Sequence, residues 1–235
     1  MANSHAPHPY YPPHVAVQGY APNTLSVVAL VAAFAGVIAA FLVFTLALAR
    51  RLSPGLKRRR AEQAAFCWFV LCGFLHCFFE GYFVLNHAQI PGSQDLFAQL
   101  WKEYALSDSR YVTSDPFMLA IEVLTAIVWG PLSFLVAIYI AAAAATTANT
   151  RTRLQRHVLQ AAVCVGHVYG VALYYGTCHF AERMRGVSYS RPETLYYWVY
   201  YAGLNAPWAV VPALLHYQSV KALTHVDGGA AKKEQ

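Results

Sequence analysis

Charge is what this sequence has least of. Only 12% of its 235 residues are Asp, Glu, Lys or Arg, about half the share of a soluble domain. That deficit excludes a surface wetted all round. From residue 25 to residue 49 there is no charged side chain at all, and about 20 helical residues cross a bilayer's hydrocarbon core. The five cysteines show no C-x-x-C spacing; four sit inside apolar runs and Cys178 ends one, so they are expected to be packing residues. No Gly-rich nucleotide loop is present, which argues against redox chemistry on a bound dinucleotide. No two of the ten histidines stand in H-x-x-x-H spacing, and His76 with Glu80 would supply only part of a coordination shell, so no metal is expected. The formal charge is +6, but no recognition motif accompanies it, so no nucleic-acid partner is expected. The tail before the first apolar run lacks the basic start of a cleaved signal peptide.

Apolar runs are what the sequence has in abundance. It predicts an all-α, polytopic membrane protein with five transmembrane helices at 25–49, 63–85, 117–145, 158–177 and 194–217. Residues 1–24 read as an extended N-terminal arm on the membrane surface, because Pro7, Pro9, Pro12 and Pro13 break any helix. Residues 25–217 form the membrane domain and 218–235 a cytoplasmic tail. Loops 50–62 and 146–157 are basic, whereas 86–116 and 178–193 carry mixed charge. Basic loops stay cytoplasmic, which puts the N-terminus outside and the C-terminus in the cytosol. The terminal Lys232-Lys233-Glu234-Gln235 resembles a dilysine retrieval signal, pointing to the endoplasmic-reticulum membrane.

Ionisable groups that fall inside predicted spans include His76, Glu80 and Glu122. Each costs about 2.5 to 3.5 kcal/mol at mid-membrane, and function is the default reason to bear that cost. His76 and Glu80 are four apart and share a helix face, with Cys72 and Phe83 close to it. Glu122, Thr125 and Trp129 form a second stripe, and Tyr201, Asn205 and Trp208 a third. Glu80 lies five residues before the outer end of its helix and Glu122 five after the start of the next. At 1.5 Å per residue both sit roughly 8 Å below one boundary. The alternative is a structural polar cluster that glues helices together. In the chemical reading, a carboxyl out of water can keep its proton near neutral pH and act as an acid. A neighbouring histidine can relay that proton, and Trp129 or Trp208 can face a carbocation.

These residues resemble the emopamil-binding protein family, the sterol Δ8–Δ7 isomerases. The resemblance runs through His8-Pro9-Tyr10-Tyr11-Pro12, Gly73-Phe74-Leu75-His76, Glu80-Gly81-Tyr82-Phe83, Asp108-Ser109-Arg110-Tyr111, Trp129-Gly130-Pro131 and Asn205-Ala206-Pro207-Trp208. It implies five helices, usually dimeric, and an isomerase of the cholestenol Δ-isomerase type. By the same resemblance His76, Glu80, Glu122, Thr125, Asn205 and Trp208 line the sterol pocket. Within it His76, Glu80 and Glu122 are expected to carry the proton chemistry, Asn205 and Thr125 to orient the acids by hydrogen bonds, and Tyr111 and Trp129 to be further substrate contacts. A Δ8-sterol, membrane lipid and hydrophobic cationic amine inhibitors are the implied partners, and no cofactor is required. The sequence departs from the family where His167 replaces an expected glutamine and Val171 an acidic residue. Two other classes remain open: a non-catalytic sterol or amine receptor, and a small transporter. For the transporter, no inverted repeat is visible.

Overall fold

The computed structural model describes residues 7–230, with side chains to residue 225; the dilysine-like end lies outside the described residues. Among the described residues there are helices and turns but no strand. Helix α1 (Val27–Leu52) starts at Ser26, whose hydroxyl accepts from the Ala29 amide, and ends on Arg50 and Arg51, the charge sign that a helix C-terminus favours. Its apolar side chains, among them Val28, Val31, Val43 and Phe44, point outward, as they would against lipid.

Two further runs are built alike. Helix α2 (Arg60–Phe74) passes through a π-helical stretch, Leu75–Glu80, into α3 (Gly81–Asn86). After a short α4 (Leu96–Tyr104), α5 (Pro116–Leu124) passes through a π-helical stretch, Thr125–Trp129, into α6 (Gly130–Ala143). Asp115 and Pro116 set the start of α5: the Asp115 carboxylate accepts from the Phe117 and Met118 amides, and proline fits the first helical turn. Helix α7 (Thr150–Arg185) is longer than its apolar part. Its polar ends, Arg151 and Arg153, Arg183 and Arg185, continue the helix beyond the expected 158–177, because hydropathy marks the greasy stretch and not the helix. Gly186 stops it at φ 62°, the left-handed conformation that glycine adopts freely. A third π-helical stretch, Leu195–Gly203, leads into α8 (Leu204–Ala230).

Among the described residues, four helices are long and apolar enough to cross a membrane: Val27–Leu52, Arg60–Asn86, Pro116–Ala143 and Thr150–Arg185. The expected span at 194–217 is helical and lies along α7, but Asn205 and His216 dilute its apolarity. One apolar cluster joins α2, α6 and α7 through Phe66, Phe69, Val136, Ile140 and Val163. The α2–α6 approach is close: a Cβ on Gly73 would stand 2.7 Å from the Phe134 ring. Both basic loops lie at one end of the bundle. There Ser53 Oγ donates to the Ala141 carbonyl at 2.7 Å, and Arg156 pairs with Glu62 at 2.7 Å.

The opposite end is closed by a cap. The expected loop 86–116 is instead folded around α4, whose Gln99 and Lys102 are 1% exposed. The described part of the N-terminal arm has no regular helix and is pinned to this cap. Tyr10 donates to the Lys102 carbonyl at 3.2 Å, Lys102 Nζ to the Ala21 carbonyl at 2.9 Å. The Gln99 amide oxygen accepts from the Thr24 and Leu25 amides, each at 2.9 Å. Gln99→Leu removes that acceptor and leaves two backbone donors unmatched. It is expected to destabilise the cap by about 2–4 kcal/mol, read as a lower thermal midpoint and faster proteolysis within residues 15–25.

Candidate functional site

The three π-helical stretches carry the expected site residues or abut them. A π turn widens the helix by one residue, and such turns gather at functional positions. Leu75–Glu80 holds His76 and Glu80; Thr125–Trp129 begins three residues after Glu122; Leu195–Gly203 ends two residues before Asn205. The first two stretches pack on each other. Gly130 permits this: a Cβ there would stand 2.5 Å from Cys77 Sγ and 3.2 Å from His76 Cβ.

The geometry brings the three ionisable groups together. His76 Nδ1 faces the Glu80 carboxylate at 2.8 Å and 2.9 Å. The Glu122 carboxyl lies beside that of Glu80 and accepts from the Tyr111 hydroxyl at 2.8 Å. His76 and Glu122 are buried, and the Glu80 side chain is 17% exposed. Phe83, Trp101, Tyr104 and Tyr111 wall the pair of acids with ring-to-ring contacts of 4.7 to 5.8 Å.

The remaining expected residues take varied places. Tyr111 is in the site. Asn205 is at its edge, but its amide donates to the Tyr104 hydroxyl at 3.0 Å and to the Tyr201 carbonyl at 2.8 Å. Thr125 donates to the Ile121 carbonyl of its own helix at 2.8 Å. Neither bonds an acid directly, so the expectation that they orient the acids is not met by direct contact: both polar groups have backbone or phenol partners nearer at hand. Trp129 packs flat on α7, where a Cβ on Gly166 would be 2.6 Å from its ring. Trp208 sits against Trp68, ring centroids 5.2 Å apart, and its Nε1 is buried without a hydrogen-bond partner.

Several members were not singled out from sequence. His167 of α7 meets His76, Nε2 to Nε2, at 3.1 Å. It lies inside a predicted span, so the rule that marks His76 also marks it. Asp108 and Arg110 form a buried ion pair, closest at 2.6 Å. Arg110 also donates to Thr177 Oγ1 and Cys178 Sγ of α7, each at 2.9 Å, and lies over the Tyr174 and Tyr189 rings. Burial works against its charge, but the hydrogen bonds and charge of Asp108 outweigh it, lifting the guanidinium pKa above the ordinary arginine value. Nothing in the sequence spacing tells this pair from the other charges of a polar loop. A cavity of about 300 Å³ opens beyond it, lined by Tyr175, Cys178, Tyr189 and Tyr201 among others. Neither described cavity is lined by His76, Glu80 or Glu122.

Comparison with known proteins places the chain. The family described as EBP: EXPERA (EXPanded EBP superfamily) matches residues 96–219. A 3-beta-hydroxysteroid-Delta(8),Delta(7)-isomerase of Cavia porcellus is 36% identical over 217 residues, 91% of this chain and 88% of that protein. A probable isomerase of the same name from Arabidopsis thaliana is 31% identical over 91% of this chain and 88% of its own length. An isomeliandiol synthase of Melia azedarach is 31% identical over 67% of this chain and 68% of that protein. A match over more than half the chain, with relatives above 30% identity along nine-tenths of it, settles the family: this protein belongs to the expanded emopamil-binding protein (EXPERA) superfamily.

Proposed function

We propose that this protein is a sterol isomerase that moves a C8=C9 double bond to C7=C8. The observation that carries the reading is the contact of Glu80, His76 and Glu122 among aromatic rings, in a chain 36% identical to named Δ8–Δ7 isomerases. Two carboxyls placed together out of water are most stable holding one proton between them. That arrangement supplies both an acid and a base. One group of the Glu80–His76–Glu122 set delivers a proton to C9 and leaves a tertiary cation at C8. A second removes the proton from C7. Electrons move only within the sterol, so no cofactor enters. The Tyr111 hydroxyl keeps Glu122 in place, and the rings of Trp208 and the cap face the cation.

The experiment is incubation of purified protein with a Δ8-sterol in heavy water. A Δ7 product carrying one deuterium at C9 supports the reading. Sterol that binds but returns unchanged would leave a receptor instead of an isomerase.

The same site favours hydrophobic amines, whose ammonium stands in for the cation. Competitive inhibition by a lipophilic tertiary amine is expected, and Glu80→Gln or Glu122→Gln should weaken it at least tenfold in a displacement assay. The wider arrangement proposed has five spans with α8 as the fifth; the charge pattern puts the basic end in the cytosol and the cap in the lumen of the endoplasmic reticulum, and the family resemblance implies a homodimer. Glycosylation acceptors placed in residues 87–95 and 146–149 test the orientation; only the first should be modified.

A further inference from the structure

His167 brings more than a neighbour for His76. Three donor atoms, Cys72 Sγ, His76 Nε2 and His167 Nε2, lie within 4.8 Å of one another, and all three residues are buried. The two imidazole nitrogens are 3.1 Å apart. Two nitrogens on one tetrahedral zinc, each about 2.0–2.1 Å from it, stand about 3.4 Å apart, so little movement separates the observed spacing from a chelating one. We propose that Cys72, His76 and His167 form a binding site for a thiophilic divalent cation, zinc foremost.

The surroundings fit this role. His76 Nδ1 is held by Glu80 at 2.8 Å, the carboxylate–imidazole arrangement that orients a ligating histidine and raises its donor strength. That leaves Nε2 free to ligate. His167 Nδ1 is buried without a hydrogen-bond partner, so its ring is not committed elsewhere except at the Nε2 contact. Binding releases the Cys72 proton to solvent. The bound thiolate and the Glu80 carboxylate then balance the two charges of zinc, which suits an apolar setting. Three protein ligands leave one position of a tetrahedral zinc open, as in catalytic rather than closed structural zinc sites. H-x-x-x-H spacing could not reveal this set, because one donor comes from α7.

Zinc on His76 Nε2 ties down the relay, so isomerisation should stop when the site fills. That consequence rests on the proposed function; binding itself does not.

The test uses the full chain in detergent, stripped of metal, with cobalt(II) as the spectroscopic probe and no sterol present. One equivalent of cobalt should give a thiolate-to-cobalt charge-transfer band with the visible bands of tetrahedral coordination, and zinc should displace both. Cys72→Ser should abolish the charge-transfer band, and His167→Gln should weaken binding at least tenfold. Cys67→Ser, on the same helix but outside the site, should leave both signals intact, which separates loss of a ligand from loss of fold. No band in the wild-type chain, or a band that survives Cys72→Ser, overturns the proposal. In a separate assay with a Δ8-sterol added to the cobalt-loaded chain, undiminished isomerisation would keep the metal site and remove His76 from the proton relay.

Discussion

Glu122→Gln is expected to lower turnover of a Δ8-sterol by at least about 10³-fold while leaving the fold intact. The substitution keeps the shape and the oxygen that accepts from Tyr111 at 2.8 Å, so that contact survives. What it removes is a carboxyl able to give or take a proton beside Glu80. A positioned acid or base contributes typically 10²- to 10⁴-fold, and in the proposed mechanism one substitution disables a pair that acts as a unit. For the same reason Glu80→Gln should cost a similar factor, and the double variant little more than either single one, because residues acting together are not additive. Tyr111→Phe should cost only about tenfold, since it positions Glu122 but moves no proton of the sterol. Turnover per folded molecule is the measurement, with folding checked by retained thermal midpoint. Near-wild-type rates in both Gln variants would remove the carboxylates from the chemistry and leave a binding protein.

How much of this could be seen in the sequence depends on the kind of signal. Glu80 and Glu122 stood out because a carboxyl in a greasy helix is costly, and a count of residues from the helix ends placed them at one depth. The structure puts them side by side. His76 was tied to Glu80 by a four-residue spacing, which survives even though the helix there is π and not α. The cap was not legible. Residues 86–116 look like a polar loop because polarity is averaged along the chain, whereas Gln99, Lys102, Asp108 and Arg110 are buried by bonding the N-terminal arm and α7. Their partners are tens of residues away, and no local pattern encodes that. His167 falls between these cases: its cost was visible, its partner was not. Thr125 shows the reverse limit, since stripe geometry put it near the acids but could not show that its hydroxyl turns back to Ile121.

The Asp108–Arg110 pair should dominate stability as Glu122 dominates turnover. Both side chains are at most 3% exposed, and breaking a buried pair by removing one partner costs about 3–5 kcal/mol. Asp108→Leu strands a guanidinium beneath Tyr174 and Tyr189 and also removes the acceptor for the Arg110 amide. It is therefore expected to lie at the upper end of that range. Arg110→Met strands a carboxylate and releases Thr177 and Cys178, loosening the cap from α7. The double variant Asp108→Leu/Arg110→Met leaves no buried charge and should recover at least half of the loss, because the penalty lies in the orphaned ion and not in the missing attraction. Equilibrium unfolding in detergent gives the three values. Turnover discriminates further: Tyr111 follows Arg110 directly and holds Glu122, so a double variant that refolds well but isomerises slowly would show that the ion pair sets the site's geometry. If instead both single variants were as stable as the wild type, the cap would have to be wet in solution, and the aromatic wall over the acids would not exclude water as the proton chemistry requires.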